Sequence, residues 1–310
     1  MIAMEKIVVI TGPTGVGKSE LAIRLAQFWK GEIINCDASQ IRKRLNVGTA
    51  KIDWQNSPVP HHLFDFLEPD ELFSIKDYQA MARAKIAELT QAGKTVFLVG
   101  GSGLYIASVI GDYPMDAKSR DPGFGDRFQS FTNQELHFEL AKIDLKSSQT
   151  IHFNNRRRVL RALEVAMQGK SLSVSEEPIP RYRTLNLCLV CERSLLYERI
   201  NHRVEIMFEN GWVDEVAALV KSEVKVSSLQ EIGYKEIAGL LLGETDLEFV
   251  KTLIKQKTRN YAKRQMTWFK HKLDCRFVTM NYQDLDKTYQ ETNQLISDFL
   301  EMNRRNRETA

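Results

Sequence analysis

Apolar and polar positions change period several times along the first hundred residues. Ile7-Val-Val-Ile10 and Thr95-Val-Phe-Leu-Val99 are short, nearly all-apolar runs, as expected of strands buried on both faces. Glu32-Ile-Ile-Asn-Cys-Asp37 is a third such run and ends in a carboxylate. Between them the spacing becomes helical. Leu21, Leu25 and Phe28 recur at i, i+4 and i+7. Ile75, Tyr78, Ala82, Ile86 and Leu89 mark a second helix face, opened by Ser74 with Asp77 three residues on and stopped by Gly93. Strand and helix in alternation predict an α/β fold around a parallel sheet.

The alternation lapses between Asp112 and Arg183. Loop residues (Asp112-Tyr-Pro and Asp121-Pro-Gly) lead into helical spacing, and Glu176-Glu-Pro-Ile-Pro180 closes the stretch. An apolar strand resumes at Thr184. This predicts a helical insertion over 113–183 in a discontinuous core formed by 1–112 and 184–310. Helices follow over Leu195–Phe208 and Trp212–Lys221, then after Gln230-Glu-Ile-Gly-Tyr-Lys235, then over Leu247–Lys272. Cys275–Met280 reads as a last strand, and the polar tail from Arg304 as frayed. Internal repeats and low-complexity tracts are absent from the sequence.

Composition narrows the class. At 43% hydrophobic and 27% charged, the 310 residues are those of an ordinary globular protein, and a net charge of +3 gives no global argument for nucleic acid. Four cysteines in a chain of this size are not a disulfide framework. Cys188 and Cys191 form a C-x-x-C, but inside a strand-like run that turns the two thiols to opposite faces, which argues against a metal site. The apolar run Ile7–Ile10 is too short for a signal peptide and no segment approaches a membrane span, so no membrane role and a cytoplasmic location are expected.

The first strand runs straight into Gly12-Pro-Thr-Gly-Val-Gly-Lys-Ser19, a G-x-x-x-x-G-K-S phosphate loop opening a helix. Gly12, Pro13, Thr14, Gly15, Val16 and Gly17 would form a cradle, lined by backbone N–H groups, for a di- or triphosphate, and Lys18 adds a point charge. Ser19 can ligate Mg²⁺. Ligands of such sheets bind at the carboxyl ends of the strands. Asp37 and the Gly100-Gly-Ser-Gly103 loop should therefore share one rim with Lys18.

Charge is concentrated locally. Arg156, Arg157, Arg158 and Arg161 open a helix whose apolar side reads as Leu160, Leu163 and Met167. Cations at a helix N-terminus oppose the dipole, which suggests an anionic partner. Lys251, Lys255, Lys257, Arg259, Lys263, Arg264, Lys270 and Lys272 form a second cluster, with Ile254, Tyr261 and Trp268 as the expected buried stripe. Both clusters point to nucleic-acid contact. His61 and His62, expected on a loop, diverge too far for a joint metal site.

In this order, these segments resemble the bacterial tRNA dimethylallyltransferases (tRNA isopentenyltransferases). The matching stretches are the phosphate loop, Asp37-Ala-Ser-Gln40, Gly48-Thr-Ala-Lys51, Pro60-His-His62, Leu98-Val-Gly-Gly-Ser-Gly-Leu-Tyr105 and Arg157-Arg-Val-Leu-Arg-Ala-Leu-Glu-Val165. They continue in Arg199-Ile-Asn-His-Arg203, Ile232-Gly-Tyr-Lys-Glu236 and Ala262-Lys-Arg-Gln-Met-Thr-Trp-Phe269. Ser102 stands for the family's usual Thr, Arg42 for an aromatic and Asn155 for Asp, and the stretch before Phe131 is shortened.

The resemblance implies a P-loop NTPase-like parallel core with an inserted helical lobe. It implies attack by the exocyclic amino nitrogen of the adenine just 3′ of the anticodon on the first carbon of dimethylallyl diphosphate, with diphosphate leaving. Lys18, Mg²⁺ on Ser19 and Arg203 would stabilise the leaving group. Asp37 would be the base, and Ser102 would orient the nitrogen. Asp37, Ala38, Ser39 and Gln40 would meet the flipped adenine. Arg127, Arg157, Arg158, Val159, Leu160, Arg161, Gly233, Tyr234 and Lys235 would contact the tRNA anticodon arm. A monomer is expected. Two alternatives stay open at this level: a small-molecule kinase using ATP, and an RNA-binding ATPase.

Overall fold

The computed structural model describes residues 4–112, 121, 123–171, 179–226 and 229–301. The loop residues expected at 113–114 and 176–178 and the tail from Arg304 lie outside them. Two compact units result, one from Met1–Asp112 with Pro180–Ala310 and the other from Tyr113–Ile179.

The first unit is built on a six-stranded sheet. In chain order it holds β1 (Lys6–Thr11), α1 (Lys18–Phe28), β2 (Glu32–Asn35), β3 (His61–His62), α2 (Ile75–Gln91), β4 (Val96–Val99) and α3 (Gly103–Ile110). The two-residue strands β5 (Gly111–Asp112) and β6 (Ile179–Pro180) bracket the inserted segment in sequence. After it come β7 (Arg183–Val190), α7 (Arg193–Glu209), α8 (Trp212–Lys221), α9 (Tyr234–Leu241), α10 (Leu247–Lys272), β8 (Arg276–Thr279) and α11 (Leu285–Glu301). The strand order is β3-β2-β4-β1-β7-β8, with every pairing parallel. Val9 of β1 faces Leu98 of β4 on one side and Asn186 of β7 on the other. With its phosphate loop leading from the central strand into α1, the unit is a P-loop NTPase-like α/β core.

Near-continuous apolar strands are buried on both faces. Val8, Ile10, Phe97 and Leu187 pack with Leu25 of α1 and Ile296 of α11 on one side. Ile7, Val9, Leu98 and Cys188 pack with Tyr78, Ile86 and Phe269 on the other. Full burial of such side chains contributes about 1.5–3 kcal/mol each. Phe97, with no exposed surface, would cost about 3–5 kcal/mol if cut to Ala. The Ser74–Asp77 capping box forms as expected, with Ser74 Oγ accepting from the Asp77 N–H at 3.1 Å and Asp77 accepting the Ser74 N–H at 3.2 Å.

Several sequence expectations are corrected. His61 and His62 lie on an edge strand rather than a loop, although their side chains do diverge: His61 meets Ser57 and His62 meets Glu32. The buried stripe of α10 is Val250, Ile254, Ala262, Gln265 and Phe269, leaving Tyr261 and Trp268 half-buried beside it. A 3.6-residue repeat, not the strict seven-residue spacing of the aromatics, sets that face. Helix α11 was not expected at all. Cys188 and Cys191 do face opposite clusters.

The second unit contains a 3-10 turn (Phe124–Phe128) and helices α4 (Asn133–Ile143), α5 (Leu145–Thr150) and α6 (Arg156–Ala166). Thr132 and Glu135 form a capping box on α4. Leu136 and Leu140 of α4 meet Val159, Ala162, Leu163 and Ala166 of α6. Met167, expected on that face, instead lies beyond the helix end and is 54% exposed. Among the described residues, no helix is long and apolar enough to cross a membrane.

Candidate active site

Three adjacent strands, β2, β4 and β1, end in three loops that meet around one cleft of about 270 Å³. Its polar wall carries Thr14, Lys18, Ser19, Asp37, Gln40 and Arg203. The sequence-predicted convergence of Asp37 and the glycine loop on Lys18 is observed, since Gly100 lines the same cleft.

The phosphate loop needs its first glycine for two reasons. Gly12 has φ +142°, and a Cβ there would lie 2.5 Å from the Leu189 carbonyl oxygen. Pro13 and Val16 are buried beneath the loop, with Val16 in the core under α1. Lys18 Nζ donates to the Gly12 and Pro13 carbonyls at 3.0 and 2.8 Å. Burial pulls the Lys18 ammonium down to about 8, an effect that the Asp37 carboxylate opposes and the Arg203 charge reinforces. Arg203 is itself lowered by burial and reaches Thr14 Oγ1 at 3.3 Å. Arg199, one helical turn earlier on α7, donates to the Gly15 carbonyl at 3.0 Å. One helix therefore carries two guanidiniums to the loop.

Asp37 follows β2, and its backbone N–H donates to Asn35 Oδ1 at 2.9 Å. Its own Oδ1 accepts the Ser39 N–H at 2.9 Å, an Asx-type bond that fixes the carboxylate. Ser102 Oγ accepts the Ala38 N–H at 3.0 Å. Ser102 is therefore tied to the Asp37–Gln40 turn, while its side chain does not line the cleft. Gln40 Nε2 donates to the Thr49 and Ala50 carbonyls, both at 3.3 Å.

Two residues that sequence reasoning missed hold these loops. Gln265 of α10 is 6% exposed and bridges the phosphate loop and the glycine loop. Glu215 of α8 accepts the N–H groups of Asn46, Val47 and Gly48 at 2.7, 2.8 and 3.1 Å, and the Tyr234 hydroxyl at 2.7 Å. The A-K-R-Q-M-T-W-F and G-T-A-K segments contained the signal, but nothing in their spacing ties a helical Gln or a distant Glu to a loop. Trp268 explains another glycine: a Cβ at Gly103 would lie 2.2 Å from its ring.

Other candidate residues are placed differently. Tyr234 is fully buried and Gly233 packs on Trp212, while Lys235 is exposed. Val159 is fully buried in the helical unit and Leu160 packs against its core, so neither side chain is presented outward as Arg158 is. Arg161 pairs with Glu164 at 2.6 Å, and Arg127 with Asp121 at 3.2 Å. Arg42 is spent on the fold, donating to the Glu68, Pro69 and Glu71 carbonyls and meeting Glu231 at 3.3 Å. Asn155 caps α6. Half of the α10 cluster is also committed internally. Lys251 and Lys255 pair with Glu205, Lys257 with Glu236, and Arg259 with Asn201. Lys263, Arg264, Lys270 and Lys272 are exposed.

No group of three or more His, Cys, Asp or Glu among the described residues could hold a metal by itself. A hard cation that takes most of its ligands from phosphate and water still fits beside the Ser19 hydroxyl.

Comparison with known proteins gives the family and the overall fold. A family described as IPP transferase matches residues 40–272. A tRNA dimethylallyltransferase of Bacillus velezensis is 40% identical over 309 residues, covering 96% of this chain and 98% of the relative. One of Bacillus pumilus is 42% identical over 286 residues, or 89% and 90% of the two chains. The crystal structure of the full-length tRNA isopentenylpyrophosphate transferase from Bacillus halodurans superposes with a TM-score of 0.75 at 38% identity, covering 98% and 99%. A eukaryotic dimethylallyltransferase captured acting on tRNA gives a TM-score of 0.82 at 28% identity, covering 96% of this chain and 79% of that one.

Proposed function

The chain belongs to the tRNA dimethylallyltransferase family, and from that membership we propose how its own residues carry the reaction. It is a prenyltransferase that moves a dimethylallyl group from dimethylallyl diphosphate to an adenine of tRNA. The acceptor is the exocyclic N6 of the adenine 3′-adjacent to the anticodon, and diphosphate is released. The observation that supports this reading best is the single cleft in which a carboxylate, Asp37, faces the phosphate loop and Arg203.

The leaving group carries the charge that grows in the transition state. Backbone N–H groups of Gly15, Gly17, Lys18 and Ser19, with the Lys18 ammonium and Arg203, would receive it, and their partial burial strengthens each contact. Mg²⁺ held by Ser19 and the diphosphate would supply Lewis-acid neutralisation of that charge. Asp37 accepts the proton that the adenine amino group loses as its nitrogen bonds to carbon. Ser102, tied to Ala38, positions the Asp37–Gln40 turn against which the extruded base lies. The helical unit with Arg127, Arg157 and Arg158, and the exposed lysines of α10, grip the anticodon arm through its phosphates.

The test is a product assay. Protein, Mg²⁺, dimethylallyl diphosphate and tRNA lacking the modification are incubated, and the tRNA is digested to nucleosides for mass spectrometry. One N6-dimethylallyladenosine per tRNA is expected. Unmodified tRNA from a protein that binds both substrates would refute the assignment.

A further inference from the structure

The cleft has a second, chemically different end. Ile33, Ile52, Val99 and Phe64 line it with His61. Ile33 and His61 are partners in register, two residues back from Asn35 at the carboxyl end of β2, so these two lie deeper than the rim that bears Asp37, and the Phe64 ring packs on His61. His61 brings no charge to it, because burial, and secondarily His62, holds its imidazole down to about 4. Its Nδ1 is buried without a hydrogen-bond partner.

Phe64 is held at this end by more than packing. Its neighbours Leu63 and Asp65 both have left-handed backbones, at φ 61° and 54°. Neither is glycine, and such residues cost of order 1 kcal/mol or more each. The surroundings enforce the conformation. Asn35 Nδ2 donates to the Leu63 carbonyl at 2.9 Å, the Asp65 N–H donates to the Gln40 carbonyl at 3.2 Å, and Lys51 pairs with Asp65 at 2.5 Å. Trp54 stacks behind the ring, 19° from parallel with centroids 6.1 Å apart, and the His61 edge meets it at 5.4 Å. The backbone is thus tied on both flanks of Phe64, and two rings pack against its side chain.

We propose that Phe64, buttressed by Trp54, is the wall that fixes prenyl length, closing the apolar end of the cleft to any donor longer than one five-carbon unit. This rests on the prenyl-transfer reading above. The donor's diphosphate is held at the loop, so added carbons can extend only into the apolar end. A second isoprene unit would meet the Phe64 ring. Chain-length selection of this kind is steric and acts on donors with identical head groups.

The test compares kcat/KM for dimethylallyl and geranyl diphosphate with one tRNA, in wild type and in Phe64→Ala and Phe64→Leu. Affinity for inorganic diphosphate serves as the control. The geranyl-to-dimethylallyl ratio should rise at least tenfold in Phe64→Ala and less in Phe64→Leu, with inorganic diphosphate bound as in wild type. Phe64→Trp should weaken dimethylallyl diphosphate binding and leave inorganic diphosphate untouched. Variants that bind inorganic diphosphate normally but keep the wild-type donor ratio would overturn the proposal. A wild-type protein that transfers no dimethylallyl group would instead sink the activity on which it rests.

Discussion

Gln265 accepts the Thr14 backbone N–H at 2.8 Å through Oε1 and, through Nε2, donates to the Gly101 carbonyl at 2.9 Å. One buried amide thus joins the phosphate loop to the glycine loop. The close approach also accounts for Gly101, where a Cβ would lie 2.4 Å from that amide nitrogen.

Gln265→Ala removes both bonds and leaves a buried carbonyl unpaired, which should cost about 1–3 kcal/mol of stability. Donor affinity and kcat should fall together, because the two loops lose their common tether. Denaturant unfolding and steady-state kinetics on the same preparation check this. A variant with unchanged kinetics would reduce Gln265 to a packing residue.

Asp37→Asn should preserve the turn, since the amide oxygen can still accept the Ser39 N–H. Loss of the base should slow single-turnover transfer by roughly 10²–10⁴-fold with tRNA binding retained. Near-normal transfer would remove Asp37 from proton transfer.

The lowered Lys18 gives a pH signature with two opposite signs. On the proposed role of Lys18, donor binding uses the ammonium, so kcat/KM for the donor should fall about tenfold per pH unit above about 8. Stability should move the other way. Between the folded value of about 8 and the ordinary 10.5, the unfolded chain binds more protons, so Lys18 contributes rising stability with pH. Activity that declines while the fold strengthens or holds separates loss of the lysine charge from alkaline unfolding. A flat donor profile up to pH 10 would contradict the assignment.

His61 supplies an acid signature. Its folded value of about 4 lies below the ordinary 6.5, so its stabilising share is present above 6.5 and is lost as pH falls toward 4. Most of that share should be gone by pH 4.5. Urea unfolding of wild type and His61→Gln at pH 7 and 4.5 measures it. The variant should lose less stability between the two, and an identical loss would show that other groups carry the effect.

The sequence made the phosphate loop, the Asp37 turn and the limits of α10 legible because each rests on local rules: strand-to-helix punctuation, a cap and a periodic face. It failed where polar residues occupy buried positions. Two of the five buried positions of α11 are Thr288 and Thr292, so the apolar repeat that would have announced the helix is broken. The buried face of α10 passes through Ala262 and Gln265, which hid its register behind the more conspicuous Tyr261 and Trp268. The lysines of α10 read as one stripe because their counter-charges, Glu205 and Glu236, come from α7 and α9. Glu215 and Gln265 act across 168 and 251 residues of chain, on Val47 and Thr14 respectively, a range at which no sequence spacing speaks.

The most direct test follows phosphorus. Purified protein, unmodified tRNA, Mg²⁺ and dimethylallyl diphosphate are combined without any nucleoside triphosphate, and then again with ATP added. Diphosphate and prenylated tRNA should appear mole for mole in both mixtures, with no ADP or orthophosphate formed in step with turnover. Transfer that begins only when ATP is present, with ADP or orthophosphate released in proportion, would contradict the account and favour a kinase or ATPase built on the same loop.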